Sequence, residues 1–196
     1  MESLGFKSLV LTSNINALNL DNPSLNPLWE CAVRLNVPIM IHPERVGGGE
    51  GLQSYFLKAV VGYPFETTLA AATLIFGGVW ERFPQLQIIR VHGGGFFPYQ
   101  AGRLQRGYDT RPEARALSRK APKEALTWFY YDSILHSTDS LCLLLDLVGP
   151  GRILMGSDYP FPIGDPNPVE TVKALRLDPA TSQQILGGTA ARIFGL

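Results

Sequence analysis

His42, His92 and Asp158 close three apolar runs: Val37-Pro-Ile-Met-Ile-His42, Ile88-Ile-Arg-Val-His92 and Ile153-Leu-Met-Gly-Ser-Asp158. Each run then breaks at glycine or proline. An imidazole offers a nitrogen to a borderline cation, or takes and gives a proton near neutral pH. A carboxylate supplies negative charge to a divalent ion or accepts a proton itself. Two of the first and one of the second, far apart in sequence but alike in setting, make a ligand set for a metal-dependent hydrolase or lyase. Each alone has a plainer reading. His42 would be satisfied by backbone at a strand end, Gly93-Gly94-Gly95 would serve only a tight turn, and Asp158 would close an Asx turn or cap a helix. Recurrence of the pattern favours the chemical reading.

Other residues attach to this set. Asp132 ends another apolar run and His136 follows it closely; both are read as supporting residues around the site. Arg103 carries a guanidinium fork suited to a substrate carboxylate, or else faces solvent from a helix. Glu66 opens a helix, where a carboxylate suits the positive end of the dipole.

Such residues must be delivered by strands. Five strand-like runs, Ser8–Thr12, Pro38–Ile41, Leu86–Val91, Trp128–Tyr131 and Arg152–Met155, alternate with helix-like stretches at Leu28–Leu35, Leu52–Gly62, Glu66–Phe83, Phe97–Tyr108, Asp139–Val148, Pro168–Leu175 and Pro179–Phe194. Strand–helix alternation predicts an α/β fold with a parallel sheet and right-handed crossovers. No G-x-G-x-x-G follows the first strand, so a dinucleotide-binding doubly wound sheet is disfavoured. Functional residues at several strand ends fit a (β/α) barrel, whose active site lies at that face. A barrel has eight strands and five are legible. The expectation is therefore the C-terminal part, about five β/α units, of a (β/α)8 TIM barrel, with residues 1–196 as one domain; an open sheet is the alternative.

Composition narrows the partners. Of 196 residues 45% are apolar and 17% charged, and 17 Lys+Arg balance 17 Asp+Glu. Without a basic cluster, nucleic acid is not an expected partner. No apolar run reaches the ~18 residues of a membrane span, and no leader pattern is read at the start. Cys31 and Cys142 lie in helix-like apolar stretches and are expected as buried free thiols in a cytoplasmic protein. Neither a G-x-S-x-G elbow nor a Walker loop occurs.

The ordered motifs resemble a known family. His42-Pro43, Gly62-Tyr-Pro-Phe-Glu66-Thr-Thr, Gly77-Gly-Val-Trp-Glu-Arg-Phe83-Pro, His92-Gly-Gly-Gly-Phe-Phe-Pro98 with Gly102-Arg103, and Gly156-Ser-Asp158-Tyr-Pro-Phe-Pro162 together resemble the amidohydrolase superfamily. Within it they are most similar to the α-amino-β-carboxymuconate-ε-semialdehyde and γ-resorcylate decarboxylases. The resemblance implies a metal-dependent, non-oxidative decarboxylase acting on a small carboxylated substrate. It implies zinc, or manganese in some relatives, held by His42 and Asp158, with His92 as acid/base residue. It also implies Arg103 on a substrate carboxylate, in some members across a homodimer interface. The H-x-H pair that such enzymes carry on their first strand is not among the three histidines here, and Glu44 and the 47–51 loop depart from the pattern. Three functions follow: a carboxy-lyase, a hydrolase of a lactone or amide using the same residues, or an inactive fragment with weak metal binding and two unclosed sheet edges.

Overall fold

The computed structural model describes residues 5–47 and 50–196. Its centre is a five-stranded parallel sheet of β1 (Leu9–Leu11), β4 (Ile39–Ile41), β5 (Ile88–Arg90), β6 (Tyr130–Asp132) and β7 (Ile153–Leu154), in that spatial order. The register runs Leu9↔Ile39↔Ile88, then Ile89↔Tyr130, then Tyr131↔Ile153. Spatial order follows chain order throughout, so every crossover winds the same way. A doubly wound sheet reverses direction at a switch point; this one has none, and it is five units of a barrel. All five expected strands are present; four are trimmed to the two or three residues that pair, and the fourth, expected at Trp128–Tyr131, is shifted to Tyr130–Asp132.

Side chains alternate across the strands. Ile39, Ile41, Ile88, Tyr131 and Ile153 enter the main core with Trp29, Leu74 and Phe97, while Ile89, Tyr130 and Leu154 form a smaller cluster with Ile193 on the other face. Among the described residues β1 pairs only with β4 and β7 only with β6, and Val10 at the first edge is 60% exposed.

The helices are α1 (Asn26–Arg34), α2 (Tyr63–Phe76), α3 (Val79–Arg82), α4 (Phe97–Thr110), α5 (Thr138–Val148), α6 (Pro168–Ala174), α7 (Pro179–Gln183) and α8 (Thr189–Phe194). Proline lies in the first turn of α1, α2, α4, α6 and α7, where its missing N–H has no intrahelical role. Ser137 Oγ caps α5 and the Asp178 carboxylate caps α7. The expected helix over 66–83 is two helices, because Gly78 adopts φ +70° and stops α2 from running on. Helix α2 begins at Tyr63, directly after a π turn at Lys58–Gly62. The span Lys58–Phe76 is long and apolar enough to cross a membrane by composition alone. Its Ala70, Ala71, Leu74 and Ile75, however, are core residues.

Two expectations need correction. The turn-rich stretch after β1 contains a small antiparallel hairpin of β2 (Asn14–Ile15) and β3 (Leu18–Asn19), whose turn residues Asn16 and Ala17 both take positive φ. Cys142 is exposed on α5 and Cys31 is half-buried on α1, so neither thiol is fully buried. Of the glycine-rich loop at 47–51, expected to be flexible, residues 48–49 lie outside the described residues.

Candidate metal centre

Parallel strands present their C-terminal ends at one rim of the sheet. His42 follows β4, His92 comes two residues after β5, and Asp158 is reached from β7 through Gly156 and Ser157. One ligand atom from each of these three lies within 4.8 Å of the others. His42 Nε2 is 3.3 Å from Asp158 Oδ1, and His92 Nε2 is 3.8 Å from Asp158 Oδ2. The two imidazoles meet edge to face at 5.3 Å. The sequence expectation that they converge on one rim is what the geometry shows. His92 and Asp158 both hold positive φ, 56° and 57°, a conformation L residues adopt sparingly and functional sites often retain.

Aromatic rings cover the pair. Phe161 stacks on His42 at 5.7 Å, and Tyr63 stacks on His92 at 6.5 Å with 12° between planes. Both rings lie in segments that carry the family resemblance, Gly62–Thr68 and Gly156–Pro162, but no role was read for either ring from the sequence. The centre forms the floor of a largely apolar cavity of about 1380 Å³. His136 lines that cavity as well, and it too has positive φ. Arg103 does not line it: the side chain is on the exposed side of α4.

Asp132 works from beneath. Its carboxylate accepts the Gly93 N–H at 2.8 Å and the Ile134 N–H at 3.1 Å, which ties the His92 turn to β6. Glu66 is also buried, and accepts from Ser13 Oγ, Asn14 Nδ2 and Gly47 N. It thereby fastens the loops after β1 and β4 to α2, a structural role as its sequence setting implied.

The fit to a divalent cation follows from this donor set. The His42 imidazole and the Asp158 carboxylate are mixed nitrogen and oxygen donors suited to zinc and related ions, and with these two protein ligands positions stay open for substrate beside His92. His92 Nδ1 is buried without a partner, so the ring is anchored by neighbours and not by a hydrogen bond of its own.

Burial sets the protonation states. It pushes His92 down from 6.5 to about 4, against the attraction of Asp158. It pushes Asp132 up from 3.8 to about 6, against its backbone donors. Between pH 4 and 6.5 the unfolded chain holds a proton on His92 that the folded chain lacks, so acidification favours unfolding. Between pH 3.8 and 6 the folded chain holds a proton on Asp132 that the unfolded chain lacks, so acidification favours folding. The two oppose each other. In metal-free protein, Asp132→Asn should therefore lose more stability than the wild type when the pH is lowered from 6.5 to 4, and His92→Gln should lose less. Urea midpoints across that range test this, and parallel profiles for all three proteins would refute it.

The chain matches the amidohydrolase family (Amidohydro_2) over residues 1–196. It belongs to that family. Within the family the chain is similar to several decarboxylases, and also to a 2-keto-4-carboxy-3-hexenedioate hydratase of Sphingobium sp.. The chain is 37% identical to 2-amino-3-carboxymuconate-6-semialdehyde decarboxylase of Dictyostelium discoideum, across 98% of this chain and 54% of that one. The crystal structure of 5-carboxyvanillate decarboxylase from Sphingomonas paucimobilis superposes with a TM-score of 0.88 at 26% identity, over 98% of this chain and 59% of that one. A dihydroxybenzoic acid decarboxylase from Polaromonas sp., solved with bound manganese, shares the fold with a TM-score of 0.84 at 23% identity, covering 100% of this chain and 62% of that one. This amidohydrolase chain therefore spans little more than half the length of these relatives.

Proposed function

We propose that this amidohydrolase chain carries the acid/base and metal-binding side of a non-oxidative decarboxylase acting on a small carboxylated substrate. The observation that carries the reading is the convergence of His42, His92 and Asp158 on the floor of one cavity. His42 and Asp158 hold a divalent cation, zinc or the manganese recorded in the Polaromonas protein. When bound, that cation supplies a positive charge that orients a carboxylate and stabilises charge developing beside it. Decarboxylation breaks the bond between carbon and carboxylate, releases CO2 and leaves the electron pair to be taken up by a proton. His92 is placed for that proton. Its Nε2 lies 3.8 Å from Asp158 Oδ2, on the cavity, where it would relay a proton from solvent to the vacated carbon. Arg103, exposed on α4 and outside the cavity of its own chain, meets a substrate carboxylate only if α4 borders the site of a second copy in a homodimer. A cytoplasmic setting is supported by two cysteines on different helices, neither in a disulfide.

The hydrolase reading uses the same residues on a lactone or amide, so product analysis separates the two. The purified chain, given one equivalent of zinc or manganese, is incubated with a panel of carboxylated aromatic acids, lactones and amides. The expected result is CO2 release with a solvent proton on the vacated carbon, lost in His92→Gln. Ring opening or amide cleavage without CO2 would replace the lyase by the hydrolase. Metal bound at one equivalent with neither product would leave the chain a binding fragment and overturn independent activity.

A further inference from the structure

Of the side chains lining the cavity among the described residues, Lys58 is the only lysine or arginine. It comes from the π turn at Lys58–Gly62, in which the Tyr63 N–H donates to the Lys58 carbonyl. A π turn brings residues five apart into register, where an α turn aligns those three or four apart. Accordingly, the Lys58 ammonium lies over the Tyr63 ring, 5.8 Å from its centre. Tyr63 in turn lies flat against His92. Lysine, tyrosine and histidine so form a column from the cavity wall to the floor.

Lys58 has no structural duty to keep it there. Its Nζ enters no ion pair or hydrogen bond among the described residues, and Glu44, the other charged residue on the wall, is not within pairing distance. An unpaired ammonium above an aromatic face, across a largely apolar space from a cation site, is a receptor for an anion. Arg103 does not reach this cavity from its own chain, so the charge available to a second acidic group is that of Lys58.

We propose that Lys58 is a specificity residue that binds a second carboxylate of the substrate, so that the cavity prefers dicarboxylates to monocarboxylates. This rests on the carboxylate-substrate reading above and sharpens it. One carboxylate goes to the floor beside His92, and the other is held on the wall by the ammonium.

Isophthalate and benzoate differ by one carboxylate on the same ring and serve as probes. Calorimetric titrations at low salt, with one equivalent of zinc and without metal, are run on the wild type, Lys58→Met and Arg103→Gln. With zinc, isophthalate should bind about two- to fivefold tighter than benzoate, as expected for one partly exposed ion pair. Lys58→Met, which keeps the length of the stem, should bring isophthalate to the benzoate level and leave benzoate unchanged. Arg103→Gln should keep the preference. Without metal, Lys58→Met should weaken both acids. The assignment is overturned if Lys58→Met retains the preference, if the wild type has none, or if only Arg103→Gln removes it. Zinc stoichiometry, read separately, tests the metal centre. If zinc fails to bind but Lys58→Met weakens both acids in the metal-free protein, Lys58 stands and the metal reading falls.

Discussion

Asp158→Asn should lower the affinity of the chain for zinc or manganese by roughly a hundredfold or more, the upper range seen when even supporting groups around a metal are removed. The substitution is nearly isosteric, so the effect is one of charge. Asp158 alone brings an anion to the cluster, within 3.3 Å of one imidazole and 3.8 Å of the other. An amide keeps an oxygen in place but removes the negative charge that offsets the desolvation of a dication. His42 Nε2 now faces Asp158 Oδ1 directly, and binding must exchange that contact for the ion. His136→Gln is the control. It lines the same cavity but lies outside the cluster of three, and its affinity should stay within about threefold of the wild type on the same grounds. Competition titration against a chromophoric chelator reads all three proteins. Unchanged affinity in Asp158→Asn would remove the carboxylate from the site.

What the sequence made legible was the part of the fold written in strands. Isoleucines dominate Ile39–Ile41 and Ile88–Arg90 and open Ile153–Leu154, all five of them buried, and such β-branched runs have few other places to go. Because parallel strands share one polarity, the residues following them had to share a rim, and the distances among His42, His92 and Asp158 follow. Arg103 shows where that logic stops. Helix α4 buries Phe97, Pro98 and Ala101, and a residue two positions beyond Ala101 is rotated by about 200°, away from the core. A motif located Arg103 in the chain, but helical phase decides which way it points. The cavity walls were hidden for a related reason. Lys58 and Tyr63 meet through a π turn, and Phe161 reaches His42 from an irregular loop, so no period in the sequence announces either contact. The hairpin at Asn14–Asn19 was missed because Ala17, in its turn, is not a residue that favours positive φ.

The three glycines after His92 looked interchangeable in sequence and are not. At Gly95, φ is +66° and ψ −133°, a region essentially closed to residues with a Cβ. A Cβ there would collide with the Pro64 carbonyl oxygen, which is backbone, and come within 2.9 Å of Thr68 Oγ1. That hydroxyl also accepts the Phe96 N–H at 2.7 Å, so the collision falls where the His92 turn is latched to α2. At Gly93 the obstructing atoms belong to the Leu135 side chain, and at Gly94 to the buried Tyr131 ring and to Pro98, so neither clash is with backbone. Gly95→Ala should thus cost about 3–5 kcal/mol, combining conformational strain with a backbone clash. Metal affinity should fall with it, since the shift displaces the His92 ring that packs edge to face on the ligand His42. Gly102→Ala makes the opposite case. It lies inside α4 with nothing within 4 Å of its would-be Cβ, and should gain about 1 kcal/mol from helix propensity alone. Urea unfolding of both variants, with zinc titration of the folded fraction, separates a turn that needs glycine from a helix that merely contains one. If Gly95→Ala proved as stable as the wild type, His92 would not owe its position to the contact with α2, and its turn would be held by Asp132 and by the Arg90 guanidinium that donates to the Gly94 carbonyl.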